Sequence, residues 1–216
     1  MSESRRMLEQ IHQTRVIVVV RGNQTSGVCS LAGQLATLGL DVHEITLTTP
    51  GALACIEEMR SKYPDLLVGA GTVLDAQNAR DAIAAGAQFL VSPTLDHEVV
   101  EIAKSNGALA IPGSLTPTEA HKAWCAGADI VKIFPASIGG PSYIRALKGP
   151  MPDLHFISTG GITVENAVDY LKAGSYAVCL GTSFIRPEAL ISADYRETLA
   201  EAKRLMALLN DVHITA

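Results

Sequence analysis

Five times along this chain a glycine closes a polar, helix-like stretch and leads straight into a short β-rich run: LGLDVHEI (38–45), AGAQFLV (85–91), NGALAI (106–111), AGADIVKI (126–133) and AGSYAVCL (173–180). Glycine just past a helix supplies the left-handed residue that ends it. A strand entered directly from a helix end implies repeated βα units and a parallel sheet. Strand-like runs fall at 16–20, 42–47, 66–70, 88–91, 108–111, 129–133, 154–158 and 176–180, with starts roughly 20 to 26 residues apart. Residues with helical patterning fill the intervals. Ser26, Asp75, Asp96, Thr116 and Thr163 stand where N-caps are needed. TPTE (116–119) adds Pro at the first helical position and Glu three residues after the cap, a capping box.

Eight strands alternating with helices, with no linker and no low-complexity stretch, predict a single (β/α)8 TIM barrel over 1–216. An open doubly wound sheet is the alternative. The opening MSESRRMLEQIHQTR reads as a short N-terminal amphipathic helix begun by Ser2 or Ser4, not as a secretory signal. A last helix is expected over 194–209.

An apolar fraction of 48% suits one sizeable core. The net charge of −5, without a basic patch, argues against nucleic acid as a partner. No apolar run approaches the ~20 residues of a membrane span, so no membrane partner is expected. Cys29, Cys55, Cys125 and Cys179 are scattered without a C-x-x-C pair, as reduced thiols of a cytoplasmic protein would be. His12, His43, His97, His121, His155 and His213 form no metal-binding spacing, so no metal and no cofactor are expected.

Active sites of such barrels form at the C-terminal strand ends. There the sequence places Arg21-Gly22, Glu44 and Thr46, Thr72, Pro93, Ser114, Lys132, STGG (158–161) and GTS (181–183). Side chains alternate between the faces of a strand. Lys132 therefore shares a face with Ile130 and Phe134, Glu44 with Val42 and Thr46, and Arg21 with Ile17 and Val19. If these faces point inward, the barrel mouth holds one lysine, one glutamate and one arginine. If Lys132 points outward, it snorkels or pairs with an acidic residue among the helices.

An inward lysine can attack a ketone and form a Schiff base whose iminium stores electrons while a C–C bond breaks. The amine must first lose its proton, and an ordinary lysine is neutral about once in 2,500 at pH 7, a deficit of roughly 4.6 kcal/mol. Glu44 is the candidate general acid–base, with a structural Glu44–Lys132 ion pair as the competing explanation. The glycine turns after strands seven and eight, Gly160-Gly161 and Gly181 to Ser183, suit a phosphate or another anion. Two rivals remain open at this point: a sugar-phosphate isomerase or epimerase using Glu44 and Lys132 as an acid–base pair, and a non-catalytic anion-binding barrel.

Together, EITLTTP, VGAGTVL, VSPTL, IPGSLTPTEA, VKIFPA, STGGIT and LGTSF resemble the KDPG/KHG aldolase family, in order and nearly without gaps from about residue 10 to residue 210. The resemblance implies a class I, pyruvate-forming aldolase, usually trimeric, cleaving a 2-keto-3-deoxy sugar acid. It implies Lys132 as the Schiff-base lysine and Glu44 as the proton shuttle. It also implies Arg21 and Thr72 near the substrate carboxylate, Pro93 and Phe134 around the pyruvyl group, and Thr159 near the substrate hydroxyls. Gly160, Gly161, Gly181 and Ser183 would hold the phosphate. The family often carries Arg in the motif E-V-T-L-R-T; this chain has Thr48 there and keeps Arg21-Gly22 on strand one. That combination, with FPASIGGPSYIRALKGPMP, is similar to galactonate-type members. The departure bears on substrate identity and not on the lysine chemistry.

Overall fold

The computed structural model describes residues 2–211. Among the described residues nine parallel strands follow one another around the sheet: β1 (Val16–Val20), β2 (Val42–Thr46), β3 (Leu67–Gly71), β4 (Phe89–Val91), β5 (Leu109–Ile111), β6 (Gly113–Ser114), β7 (Val131–Ile133), β8 (Phe156–Thr159) and β9 (Ala177–Leu180). Their order is β5-β4-β3-β2-β1-β9-β8-β7-β6. The two ends of that list, β5 and β6, are separated only by Pro112. Proline has no N–H to give to a ladder. One stave is thus interrupted at Pro112; its first half pairs with β4 and its second with β7, and the ring closes. The eight-stave barrel replaces the open-sheet alternative.

The helices are α1 (Glu3–Thr14), α2 (Val28–Ala36), α3 (Ala52–Lys62), α4 (Ala76–Ala84), α5 (His97–Ser105), α6 (Pro117–Cys125), α7 (Gly140–Lys148), α8 (Ala167–Lys172), α9 (Pro187–Ser192) and α10 (Arg196–Asn210). The five helix-closing glycines Gly39, Gly86, Gly107, Gly127 and Gly174 have φ of 88°, 92°, 74°, 100° and 106°. Asp75 and Asp96 cap α4 and α5, and Thr116 makes the full capping box of α6. Ser2 caps α1.

Two expected caps are corrected. The residue before α2 is Gly27 and not Ser26, with φ 79° and no side-chain cap. Tyr195 Oη donates to Gly27 O at 3.0 Å, and a side chain on Gly27 would collide with that phenol. Thr163 does not cap α8, which begins at Ala167. Asn166 takes the Thr163 N–H on Oδ1 at 2.8 Å and donates to Gly161 O at 3.0 Å, which ties residues 163–166 into a turn ahead of the helix. The expected strand start at 129 moves to Val131, because Asp129 uses its own carboxylate to accept the Ala110 N–H at 2.9 Å. His213 lies outside the described residues.

Burial separates into two layers, as strand alternation requires. Val16, Val18, Val20, Ile45, Val68, Ala70, Val131, Ile133, Val178 and Leu180 pack outward against helices. Ile17, Val19, Val42, Leu67, Phe89, Val91, Leu109, Ile111, Ile130, Ile157, Ala177 and Cys179 form the inner core, joined by Met7 and Ile11 from α1. Helix α1 plugs the N-terminal end of the barrel: Thr14 and Gln10 donate to Asp41 at 2.5 and 3.0 Å, just before β2, and Tyr176 Oη donates to Leu8 O at 2.9 Å, just before β9. The opposite end remains open for a site.

Candidate active site

Glu44 lies in mid-β2, in register with Val19 and Gly69. Lys132 is central to β7, in register with Gly113 and Ile157. Ile130 belongs to the inner core, so alternation turns Lys132 inward too. Both charged residues are buried, at 2% and 6% exposure. They line one cavity of about 560 Å³ at the C-terminal ends of the staves.

The same cavity is lined by Arg21, Thr72, Pro93, Phe134, Thr159, Gly160, Gly161, Gly181 and Ser183. Every residue given a role by the family resemblance therefore meets in one place, while Gly22, Thr46, Ser114 and Ser158, also at strand ends, do not line it. A larger hollow of about 850 Å³ opens beside α10. It holds charges that already pair with one another, Arg186 with Glu197 and Arg204 with Glu165, each at 2.8 Å. The barrel mouth carries the chemistry.

Among the described residues neither Glu44 nor Lys132 belongs to a salt bridge. The structural ion pair weighed against catalysis is absent. Glu44 Oε2 is buried and accepts no hydrogen bond. Burial pushes the Glu44 carboxyl above the usual carboxylate range, with Lys132 and Arg21 pulling partly the other way. A carboxyl held in this way can give a proton as well as take one. The Lys132 Nζ lies 4.9 Å from the centroid of the Phe134 ring, within cation–π range.

Arg21 is anchored from two staves. Its Nη1 donates to Thr48 Oγ1 at 3.2 Å and its Nη2 to Thr72 Oγ1 at 3.1 Å. Thr72 has φ 59°, a left-handed conformation that is rare and strained for a β-branched residue. At the far end of the cavity Gly160 and Gly161 have φ of 90° and 78° and pack against Phe134, Pro135 and Ser137. The backbone N–H groups of Gly161, Thr182 and Ser183 find no acceptor among the described residues. Thr159 Oγ1 is buried beside the Cys179 thiol and has no oxygen or nitrogen partner.

Three lining residues were not picked out from the sequence: Val19, Cys179 and Ile162. Parity offered a signal for two of them, since Val19 and Cys179 face inward with Ile17 and Ala177. The Cys179 thiol is pushed up to about 12 by burial and the neighbouring Glu44, so it stays protonated. Ile162 lies in a turn, where alternation says nothing. Among the described residues no group of three or more His, Cys, Asp or Glu could hold a metal ion.

Residues 7–200 match the model of the KDPG and KHG aldolase family. The 2-dehydro-3-deoxy-phosphogluconate aldolase of Dickeya dadantii is 36% identical over 194 residues, covering 89% of this chain and 91% of its own. The 2-dehydro-3-deoxy-6-phosphogalactonate aldolase of Escherichia coli is 34% identical over 190 residues, covering 87% and 93%. The crystal structure of KDPG aldolase from Legionella pneumophila, with pyruvate captured at low pH as a covalent carbinolamine intermediate, superposes with a TM-score of 0.81 at 30% identity, covering 93% of this chain and 97% of that one. A barrel mouth with an inward lysine and an unpaired buried carboxyl, in a chain this similar to those enzymes, belongs to an aldolase and not to an isomerase or a passive binder. This chain is a member of the KDPG and KHG aldolase family, a class I, lysine-dependent aldolase that forms pyruvate from a 2-keto-3-deoxy sugar acid.

Proposed function

We propose that Lys132 is the lysine that carries the substrate and that Glu44 moves every proton of the cycle. The Nζ lone pair adds to the C2 ketone and gives a carbinolamine. Glu44, as the acid, protonates the C2 hydroxyl, water leaves, and an iminium remains. The Glu44 carboxylate then takes the proton of the C4 hydroxyl. The C3–C4 bond breaks, its electrons pass into the enamine, and the aldehyde departs. Glu44 gives its proton to C3 and takes one back from the water that adds to the iminium; the C–N bond then breaks, which releases pyruvate and restores the Lys132 amine and the Glu44 acid. The observation that carries this assignment is the pair of buried groups facing one cavity without neutralising each other.

Around this pair, Arg21 and Thr72 hold the substrate carboxylate, and Pro93 and Phe134 wall the pyruvyl group. The buried Thr159 hydroxyl, which has no oxygen or nitrogen partner, meets a substrate hydroxyl. Gly160, Gly161, Gly181 and Ser183 hold a 6-phosphate through backbone N–H groups, so the released aldehyde is of the glyceraldehyde 3-phosphate kind. The whole chain, 1–216, acts as one catalytic domain. The family resemblance supports a homotrimer. A cytoplasmic location is consistent with four free cysteines and with the absence, among the described residues, of any helix long and apolar enough to cross a membrane.

Incubation with pyruvate and borohydride, followed by peptide mapping, tests the assignment. A reduced adduct on Lys132 is expected; label on another residue, or none, rejects it. Side-by-side kcat/KM on gluconate-type, galactonate-type and unphosphorylated substrates then ranks the substrate classes.

A further inference from the structure

The stretch Thr46-Leu47-Thr48-Thr49 wraps the chain at Val20-Arg21-Gly22 through hydroxyl groups alone. Thr46 Oγ1 donates to Val20 O at 3.1 Å. Gly22 N donates to Thr49 Oγ1 at 3.2 Å. Arg21 Nη1 donates to Thr48 Oγ1 at 3.2 Å. Thr48 Oγ1 and Thr49 Oγ1 both meet Thr46 Oγ1, at 3.3 and 3.0 Å.

Counting protons fixes the direction of each bond. A threonine hydroxyl has one proton to give and two lone pairs to accept with. Thr46 gives its proton to the Val20 carbonyl, so it must accept from both Thr48 and Thr49. Thr48 then accepts from the Arg21 guanidinium, and Thr49 accepts from the Gly22 N–H. Two chains result, Arg21 to Thr48 to Thr46 to Val20 and Gly22 to Thr49 to Thr46 to Val20. Both run the same way and converge on one hydroxyl. Thr46 and Thr49 are buried, at 0% and 1% exposure, where hydrogen bonds in series strengthen one another. The backbone on each side of Arg21 and its guanidinium are thus held by a single node, with Thr72 Oγ1 fixing the other Nη.

We propose that Thr46, Thr48 and Thr49 form one positioning device that fixes Arg21 for the carboxylate of the keto acid, with Thr46 as its hub. This inference rests on the assignment of Arg21 as the carboxylate contact. Arg21 is itself exposed at the cavity mouth, and a free arginine there would sample many rotamers. Holding one of them before the substrate arrives removes an ordering penalty from binding.

The readout is the pyruvate concentration giving half-maximal borohydride trapping on Lys132, with acetone, a ketone lacking the carboxylate, as the parallel probe. Thr46→Val keeps the shape and removes the hub hydroxyl. It is expected to raise the half-maximal pyruvate concentration about tenfold, equivalent to about 1.4 kcal/mol. Trapping of acetone stays at the wild-type level, and Thr46→Ser recovers pyruvate affinity. Thr48→Ala, at an exposed position, gives a smaller effect of the same kind and covers the case in which Thr46→Val fails to fold. In an Arg21→Ala background neither change has a further effect, because the group being positioned is gone. If Arg21→Ala leaves pyruvate trapping unchanged, the carboxylate assignment falls and this proposal with it. If Arg21→Ala weakens pyruvate while the threonine variants do not, or if they weaken acetone equally, Arg21 keeps its role and the positioning device is rejected.

Discussion

Gly71 leaves free the space that the Glu44 carboxyl fills: a methyl group built on Gly71 would overlap Glu44 Oε1. The two residues sit on neighbouring staves, β3 and β2, with Gly71 in register two residues beyond Glu44, opposite Thr46. The φ of Gly71 is not positive, so the position requires glycine for space and not for backbone freedom. Gly71→Ala should therefore act as a displacement of Glu44. A shift of about 1 Å in a reacting group can cost ~100-fold in rate, and a fall in kcat of that order is expected. A crystal structure of the variant with Glu44 unmoved, or an unchanged kcat, would reject this.

Glu44→Gln should lower kcat by about 10²- to 10⁴-fold, the usual range for a lost acid–base group. The same change should raise thermal stability at neutral pH. Burial holds the folded-state pKa of Glu44 above its unfolded value. The neutral form is the one the fold prefers, so stability from this group is complete at low pH and is lost as pH rises through the folded pKa. Glutamine has no such loss. The melting temperature of Glu44→Gln should exceed that of the wild type by a margin that widens from pH 5 to pH 8. A constant or shrinking margin would sink the interpretation.

His43 has the opposite sign and a different location. It follows the outward parity of β2, and its Nε2 lies 3.0 Å from Leu40 O. Burial pushes its pKa down from 6.5 to about 4, against upward pulls from that hydrogen bond and Asp41. The unfolded chain takes up a proton near 6.5 that the folded one refuses. The contribution is complete above that pH and is lost on the way to pH 4, amounting to about 3 kcal/mol there. Denaturant midpoints between pH 7 and pH 4 should fall less steeply in His43→Gln than in the wild type; parallel slopes would show that another group governs acid unfolding.

Gly161→Ala probes the phosphate end without touching the lysine. Gly161 has φ 78°, and a Cβ there would sit 2.6 Å from Ser137 Cβ, so the turn must move. KM for a phosphorylated substrate should rise about tenfold or more, roughly 1.4 kcal/mol of lost binding. The pyruvate concentration needed for trapping on Lys132 should not change. Equal losses for both would mean that the turn supports the barrel mouth as a whole.

Much of the barrel was legible because its signals are local. A glycine after a helix, an aspartate before one and the TPTE box each act within one turn of backbone, and Gly39, Gly86, Gly107, Gly127, Gly174, Asp75, Asp96 and Thr116 all do what their sequence neighbours indicate. Ser26 and Thr163 failed as caps for a non-local reason in one case and a competing local one in the other. Tyr195, far along the chain, reaches back to Gly27, and Asn166 captures the turn that Thr163 opens.

The sequence by itself determined the alternation of strand and helix and the parity that puts Lys132 with Ile130 and Glu44 with Val42. These follow from the two-residue repeat of a strand and from the caps of helices, which depend on nearest neighbours. Only the tertiary structure decided which of the two faces turns inward. It also decided that Lys132 and Glu44 share a cavity without an ion pair, and that three threonine hydroxyls converge on the backbone beside Arg21. Those relationships join different staves, and closure of the ring sets their distances.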